Sequence, residues 1–410
     1  MRGLVSLAWR NLWRNWRRTA IALVAIVLGL MLLLLMDGFI QGSDRAIFGN
    51  AVRLYGGNVM VHATGYRERA SRLPLLPLED PDAVIAAAEA RPEVLHASRR
   101  LNSSGLVGGS GGKSQGVLIH GIEPEREAEY SIVAEGVTEG RFLLEGEGDA
   151  ILIGRGLAER LEIGVGDRIE LIARGRGEAL HQRGVMVVGI FDLGMREAER
   201  GMVFVTLGEA QDLFRLRDGV SEVAITLDEL GREQPTIDAL QAALPGYEID
   251  SWDSLRPEFK QLLETKAGFT GFIGFVVLLI ACIGVLNMML MSVFERTREM
   301  GILAALGMKG RQVMALFLIE GALVGVLGAL IGCGLGWAVV SLLGRVGMGF
   351  GEIEGMGEIT ALMGSRIYPW LNPVGILGRG LAVTLIAMLA SFYPAWTASR
   401  KQPAEVLHHV

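Results

Sequence analysis

An α-helical membrane protein, with four transmembrane helices and a large external α+β domain between the first and second, is the architecture this sequence predicts. Three observations carry it. Four apolar stretches are long enough to cross a hydrocarbon core, which takes about 20 residues; they run from Thr19 to Met36, Gly268 to Phe294, Val313 to Leu343 and Gly380 to Trp396. Three basic groups flank them: Arg10, Arg14, Arg17 and Arg18; Arg296, Arg298, Lys309 and Arg311; Arg400 and Lys401. With four spans all three fall on one side, which should be cytoplasmic, with both termini. Between the first two spans, roughly 230 residues alternate strand-like and helix-like patterns.

Composition agrees. The 410 residues are 50% apolar, with mean hydropathy +0.38 and net charge −6. That is too apolar for an ordinary soluble chain and too charged for one that is all membrane. Nothing suggests a nucleic-acid partner. Cys282 and Cys333 both lie in apolar segments, so neither a disulfide framework nor a metal-ligand spacing is expected.

Residues 1–18 place Trp9, Trp13 and Trp16 on one helical face beside Arg10, Arg14 and Arg17. Tryptophan prefers the membrane interface and arginine meets lipid phosphate, so this is an interfacial helix: a topology anchor, or an elbow that moves with the first span. Residues 19–54 form the first span and an outward stalk. Asp37-Gly38-Phe39-Ile40 stands where a signal peptide would need a small-residue cleavage site, so the span is retained.

Gly56-Gly57 breaks the stalk and opens the external domain, residues 55–258. Strands are expected from Asn58 to His62, Gly116 to Ile122, Ala150 to Gly154, Arg168 to Ala173, Val185 to Phe191, Val203 to Val205 and Val220 to Leu227. Helices are expected from Asp82 to Glu89, Gly156 to Leu161, Leu207 to Phe214 and Gln234 to Leu244. The glycine-rich Gly105 to Gly112 reads as a mobile loop or linker. Gly108 to Ser114 superficially resembles a phosphate-binding loop, but Val107 occupies the position of the motif's first glycine. No ATPase site is therefore expected in this chain.

Residues 259–294 hold a stalk and the second span, which opens with Gly268, Gly271 and Gly274. Residues 312–344 hold the third, with Gly321, Gly325, Gly328, Gly332 and Gly336. Small residues at these spacings let helix backbones approach, which indicates packed helices rather than an aqueous pore. Glu320 is the one acid buried in a span; it pairs with a basic residue such as Arg311, or forms a proton or ion site. Residues 345–379 form an external loop, 380–397 the fourth span and 398–410 a cytoplasmic tail. His62, His96, His120, His181, His408 and His409 have no metal-ligand spacing, and no nucleophile with a base appears.

The most informative stretch is 295–311. After the charged Glu295-Arg296-Thr297-Arg298-Glu299, the residues Met300, Ile302, Leu303 and Leu306 recur at the spacing of one helical face, and Gly307 supplies a stop. The expectation is a short amphipathic helix on the membrane surface, with an apolar side for docking.

Asn287, the run Ser292 to Gly307 (SVFERTREMGILAALG) and Phe317-Leu318-Ile319-Glu320-Gly321 resemble the core of FtsX-type ABC transporter permeases, also called type VII or MacB-like. Ala390 to Arg400 with Pro403 to Leu407 resembles the family's closing pattern. In the external domain Gly121-Ile122-Glu123-Pro124, Ile153-Gly154, Val165-Gly166-Asp167 and Val188 to Phe191 stand in the family's order. The layout is closest to the lipoprotein-releasing LolC and LolE subunits, with no ATPase domain before the first span. The resemblance implies two permease copies, identical or related, on a cytoplasmic ATPase dimer that binds ATP and magnesium, with no cofactor in this chain. It makes Glu295, Arg296, Arg298, Glu299, Ile302, Leu303 and Leu306 the ATPase-coupling residues of an inner-membrane machine whose substrate is a lipoprotein. MacB-like export of peptides or drugs, with a periplasmic adaptor or chaperone, is the alternative; a receptor or regulator of envelope enzymes is the non-transport one.

Overall fold

The structure, a computed structural model, describes residues 2–14, 16–109, 112–177, 179–229, 231–255, 257–296, 299–300, 302, 307–349 and 366–400. Two compact units are present: residues 1–43 with 263–349 and 366–410, and residues 44–262 with 350–365.

The first unit is helical. Helix Arg2–Arg14 is followed by one 40-residue helix, Trp16–Tyr55. Helices Pro257–Glu295, Gly310–Val346 and Pro373–Ala390 supply the other spans, and Phe392–Arg400 closes the described chain. Each of the four long helical segments is long and apolar enough to cross a membrane. The fourth starts at Pro373, inside what the sequence suggests is loop. Asn372 caps it, its side chain accepting from Val374 N at 3.0 Å with proline in the first turn, an N-terminal signal that apolar content alone overlooks.

The glycines of the third span divide between two neighbours. A Cβ at Gly328, Gly332 or Gly336 would meet Ile26, Leu30 or Leu34 at 2.6–3.0 Å. The paired numbers rise together, so the first and third spans run parallel. Gly321 abuts Ser391 and Gly325 abuts Ala387 and Thr384, and these numbers run oppositely, so the fourth span is antiparallel. Four alternating crossings require both relations. The second span differs from the expectation. A Cβ at Gly274 would meet Leu33 at 3.1 Å, but one at Gly268 or Gly271 would meet nothing within 4 Å, and Phe269, Phe272 and Phe275 beside them are exposed.

The second unit is the α+β domain. Its strands are β1 (Val59–Ala63), β2 (Val94–Gly108), β3 (Ser114–Ile122), β4 (Val137–Gly140), β5 (Ala150–Gly154), β6 (Arg168–Arg174), β7 (Leu180–Phe191), β8 (Met202–Thr206), β9 (Glu222–Leu227) and β10 (Tyr247–Ser251). β2 organises them. Its first half pairs with β9, which leads through β1 to β10 in an antiparallel sheet. Its second half pairs with β3 and β6, and the circuit β2–β3–β8–β5–β7–β6 closes on itself as a six-stranded barrel. Closure leaves no free sheet edge within that circuit. Helices Pro81–Glu89 and Glu233–Ala243 cover the open sheet through Val84, Ile85, Ala88 and Leu240. Along β5, Ile151 and Ile153 enter one core and Ala150 and Leu152 another, the period-two alternation of a strand buried on both faces.

Gly105 to Gly108 are thus strand, not linker, paired with both β3 and β6. Gly109 N–H donates to Lys113 O at 3.0 Å and Ser114 opens β3, so the motif leads into a strand, where a phosphate loop needs a helix; Ser110 and Gly111 lie outside the described residues. His62 and His120 belong to a buried relay where the two halves of β2 meet. His62 contacts Glu222 at 3.1 Å, Asn102 Nδ2 donates to Glu222 at 2.6 Å, and His120 contacts Asn102 Oδ1 at 2.9 Å. At the stalk's end the Arg100 guanidinium, ion-paired with Glu127, fills the space beside Gly56, whose φ is +86°; both facts exclude a side chain there.

Candidate coupling site

Of the charged residues expected on an amphipathic surface helix, Arg296 is instead buried in the helical unit. Arg296 is 6% exposed and Glu320 3%. Arg296 Nη1 donates to Glu320 Oε1 at 3.0 Å, and its Nη2 to the Asn11 carbonyl at 3.3 Å. Asn11 Nδ2 donates to the same Glu320 oxygen at 2.7 Å. The partner of Glu320 is therefore Arg296, not Arg311. The end of the second span brings Arg296 alongside the third, and a carboxylate in an apolar bundle needs a charge within bonding distance. Arg296, expected among surface docking residues, faces inward.

Two further pairs surround this knot. Arg18 forms a two-pronged ion pair with Glu295, and Arg14 contacts Glu299 at 2.6 Å. The arginine expected to meet lipid phosphate at position 14 thus holds an acid of the connector. Arg14 and Arg18 are four apart in the sequence, as are Glu295 and Glu299, so two basic and two acidic residues recur at matching spacing. That complementarity is the sequence signal that could have disclosed the contact.

Met300 turns into a cluster with Val293, Val313, Phe317, Ala395 and Ala398, while Ile302 is 52% exposed. Gly307 follows with φ +97°. Arg298, Leu303 and Leu306 lie outside the described residues. At the opposite end of the first span, Arg379 grips Asp37 with two hydrogen bonds of 2.7 and 3.1 Å, joining the first and fourth spans. No sequence pattern had linked those two residues.

One cavity of the domain, about 390 Å³, is lined by Arg53, His96, Tyr130 and Glu135 among others. His96 stacks on Tyr130, and neither ring nitrogen has a partner among the described residues. Burial, then the charges of Arg100 and Arg126, push its pKa down to about 4. Among the described residues no group of three or more His, Cys, Asp or Glu could hold a metal ion.

Residues 19–243, more than half of the chain, match the MacB-like periplasmic core domain, and residues 271–403 match the FtsX-like permease C-terminal domain. The chain belongs to the FtsX-type, MacB-like family of ABC transporter permeases. The permease is 27% identical to the lipoprotein-releasing system transmembrane protein LolC of Xylella fastidiosa, over 95% of this chain and 93% of that one. It is 26% identical to LolC of Neisseria meningitidis, over 95% and 94%. With the macrolide export ATP-binding/permease protein MacB of Hyphomonas neptunium it shares 25%, over 91% of the permease and 60% of the relative. Arg296, Glu320 and the glycine ladder lie within the FtsX-like match, and strands β1 to β9 lie within the MacB-like one.

Proposed function

We propose that this permease takes ATP-driven motion from a separate cytoplasmic ATPase dimer and uses it to release lipoproteins from the inner membrane. ATP and magnesium are bound by that partner, and a second permease, identical or related, completes the assembly. The segment from Glu295 to Gly307 docks on the ATPase through Ile302, Leu303 and Leu306, with both termini cytoplasmic. The observation that carries the lipoprotein reading is end-to-end similarity to LolC proteins, spanning more than nine-tenths of their length.

The packing favours mechanical transmission. A bundle whose helices touch at Gly321, Gly325, Gly328, Gly332 and Gly336 has no room for an aqueous path along those faces. Helices of 40 and 39 residues, Trp16–Tyr55 and Pro257–Glu295, are each about 60 Å long, twice a bilayer core, so a push at one end is delivered beyond the membrane. The exposed Phe269, Phe272 and Phe275 suit contact with acyl chains or a second copy.

To test substrate, the permease and its ATPase are reconstituted into vesicles carrying a triacylated lipoprotein. ATP-dependent appearance of the lipoprotein in the soluble fraction is expected. Export of a drug or peptide without lipoprotein release would instead favour the MacB-like reading, supported by the 25% identity with a macrolide exporter.

A further inference from the structure

We propose that the N-terminal helix and the start of the first span together form a second arm of the coupling site: Asn11 and Arg14 of the one and Arg18 of the other clamp the segment at Glu295, Arg296 and Glu299, so its displacement passes directly into the first span. The inference rests on the coupling role assigned above to that segment.

Four contacts from one short stretch carry it. Arg14 holds Glu299, Arg18 holds Glu295, the Asn11 carbonyl accepts from Arg296, and the Asn11 amide donates to Glu320. Thr19 Oγ1 also donates to Leu12 O at 3.1 Å, which ties the N-terminal helix to the start of the first span. The outer pairs are about half exposed, and pairs in such positions add little stability. Their combined effect is directional. Salt links at Glu295 and Glu299, with the buried Arg296 between them in sequence, fix the segment's orientation relative to the first span. Glu295 and Glu299 are consequently engaged within the chain, and the surface left for the ATPase is the apolar one that includes Ile302. Arg14 and Arg18 are positioning residues that touch neither ATP nor substrate.

Charge reversal in the intact complex separates this arrangement from direct contact of the acids with the ATPase. Arg14→Glu with Arg18→Glu should leave the ATPase co-purifying but lower permease-dependent stimulation of ATP hydrolysis about fivefold or more. Adding Glu295→Arg and Glu299→Arg should restore stimulation to within about twofold, a rescue that a merely misfolded variant would not show. Arg14→Lys with Arg18→Lys, which keeps the charges, should retain most of the stimulation. The clamp is overturned if the arginine reversals change nothing. It is also overturned if the glutamate reversals alone strip away the ATPase and the swap fails to rescue; docking of the segment then stands without the clamp. Failure of the ATPase to associate with the unaltered permease would instead sink the coupling reading.

Discussion

Arg296 and Glu320 stand 24 residues apart at the meeting of two spans, and their value lies in being paired. Breaking a buried ion pair from one side leaves an uncompensated charge and costs about 3–5 kcal/mol, whereas replacing both partners by apolar residues of similar volume is often near neutral. Arg296→Met or Glu320→Met alone should therefore lower thermal stability of the detergent-solubilised protein sharply, and the double variant should recover most of it. Additive losses would show that the two side chains act independently. His96 gives the domain a pH dependence. Its folded pKa, about 4, lies below the usual value near 6.5, so the unfolded chain takes up a proton first as pH falls. Stability is complete above about pH 6.5 and declines toward pH 4, by about 1–3 kcal/mol from this residue. His96→Phe keeps the stack on Tyr130 and should flatten the difference in unfolding midpoint between pH 7 and pH 5; an unchanged slope would remove His96 as its source. Sequence inspection could not reveal the partnerless nitrogens of His96, which depend on its packing against Tyr130.

Helices and strands differed in how far the chain disclosed them. The third-span glycines were legible because a close helix contact needs small residues at repeating positions. The same reasoning failed for Gly268 and Gly271, because small residues permit contact without requiring it within one chain. β2 escaped notice for another reason. Arg99, Arg100, Asn102, Ser103, Ser104 and Gly105 look like loop, yet their partners β3, β6 and β9 come from far along the sequence and satisfy them by pairing. At the scale of elements the test is steric. Gly328→Leu should drive side-chain atoms into Ile26, and Gly325→Leu into the Thr384 backbone, each costing about 1–3 kcal/mol by overpacking. Gly271→Leu, facing open space, should cost far less. Equal effects at all three positions in a thermal-shift assay in detergent would contradict the packing described here.

At the scale of the whole molecule, the parts are two helices of about 60 Å, a glycine-packed bundle and a domain built on one continuous strand. The four apolar helices and the α+β domain between the first and second were legible from hydropathy, because a bilayer imposes length and polarity on any chain that crosses it. The internal engagement of the connector was not, since its acids and the arginines that hold them are nearly 300 positions apart. The central claim is that the apolar side of that connector meets the ATPase, and a photo-crosslinking residue placed at Ile302 and, separately, at Met300 tests it most directly. Ile302 is 52% exposed and Met300 9%. An adduct with the ATPase from position 302, and none from position 300, is the expected result; no adduct from 302 in a complex that assembles and hydrolyses ATP would contradict it.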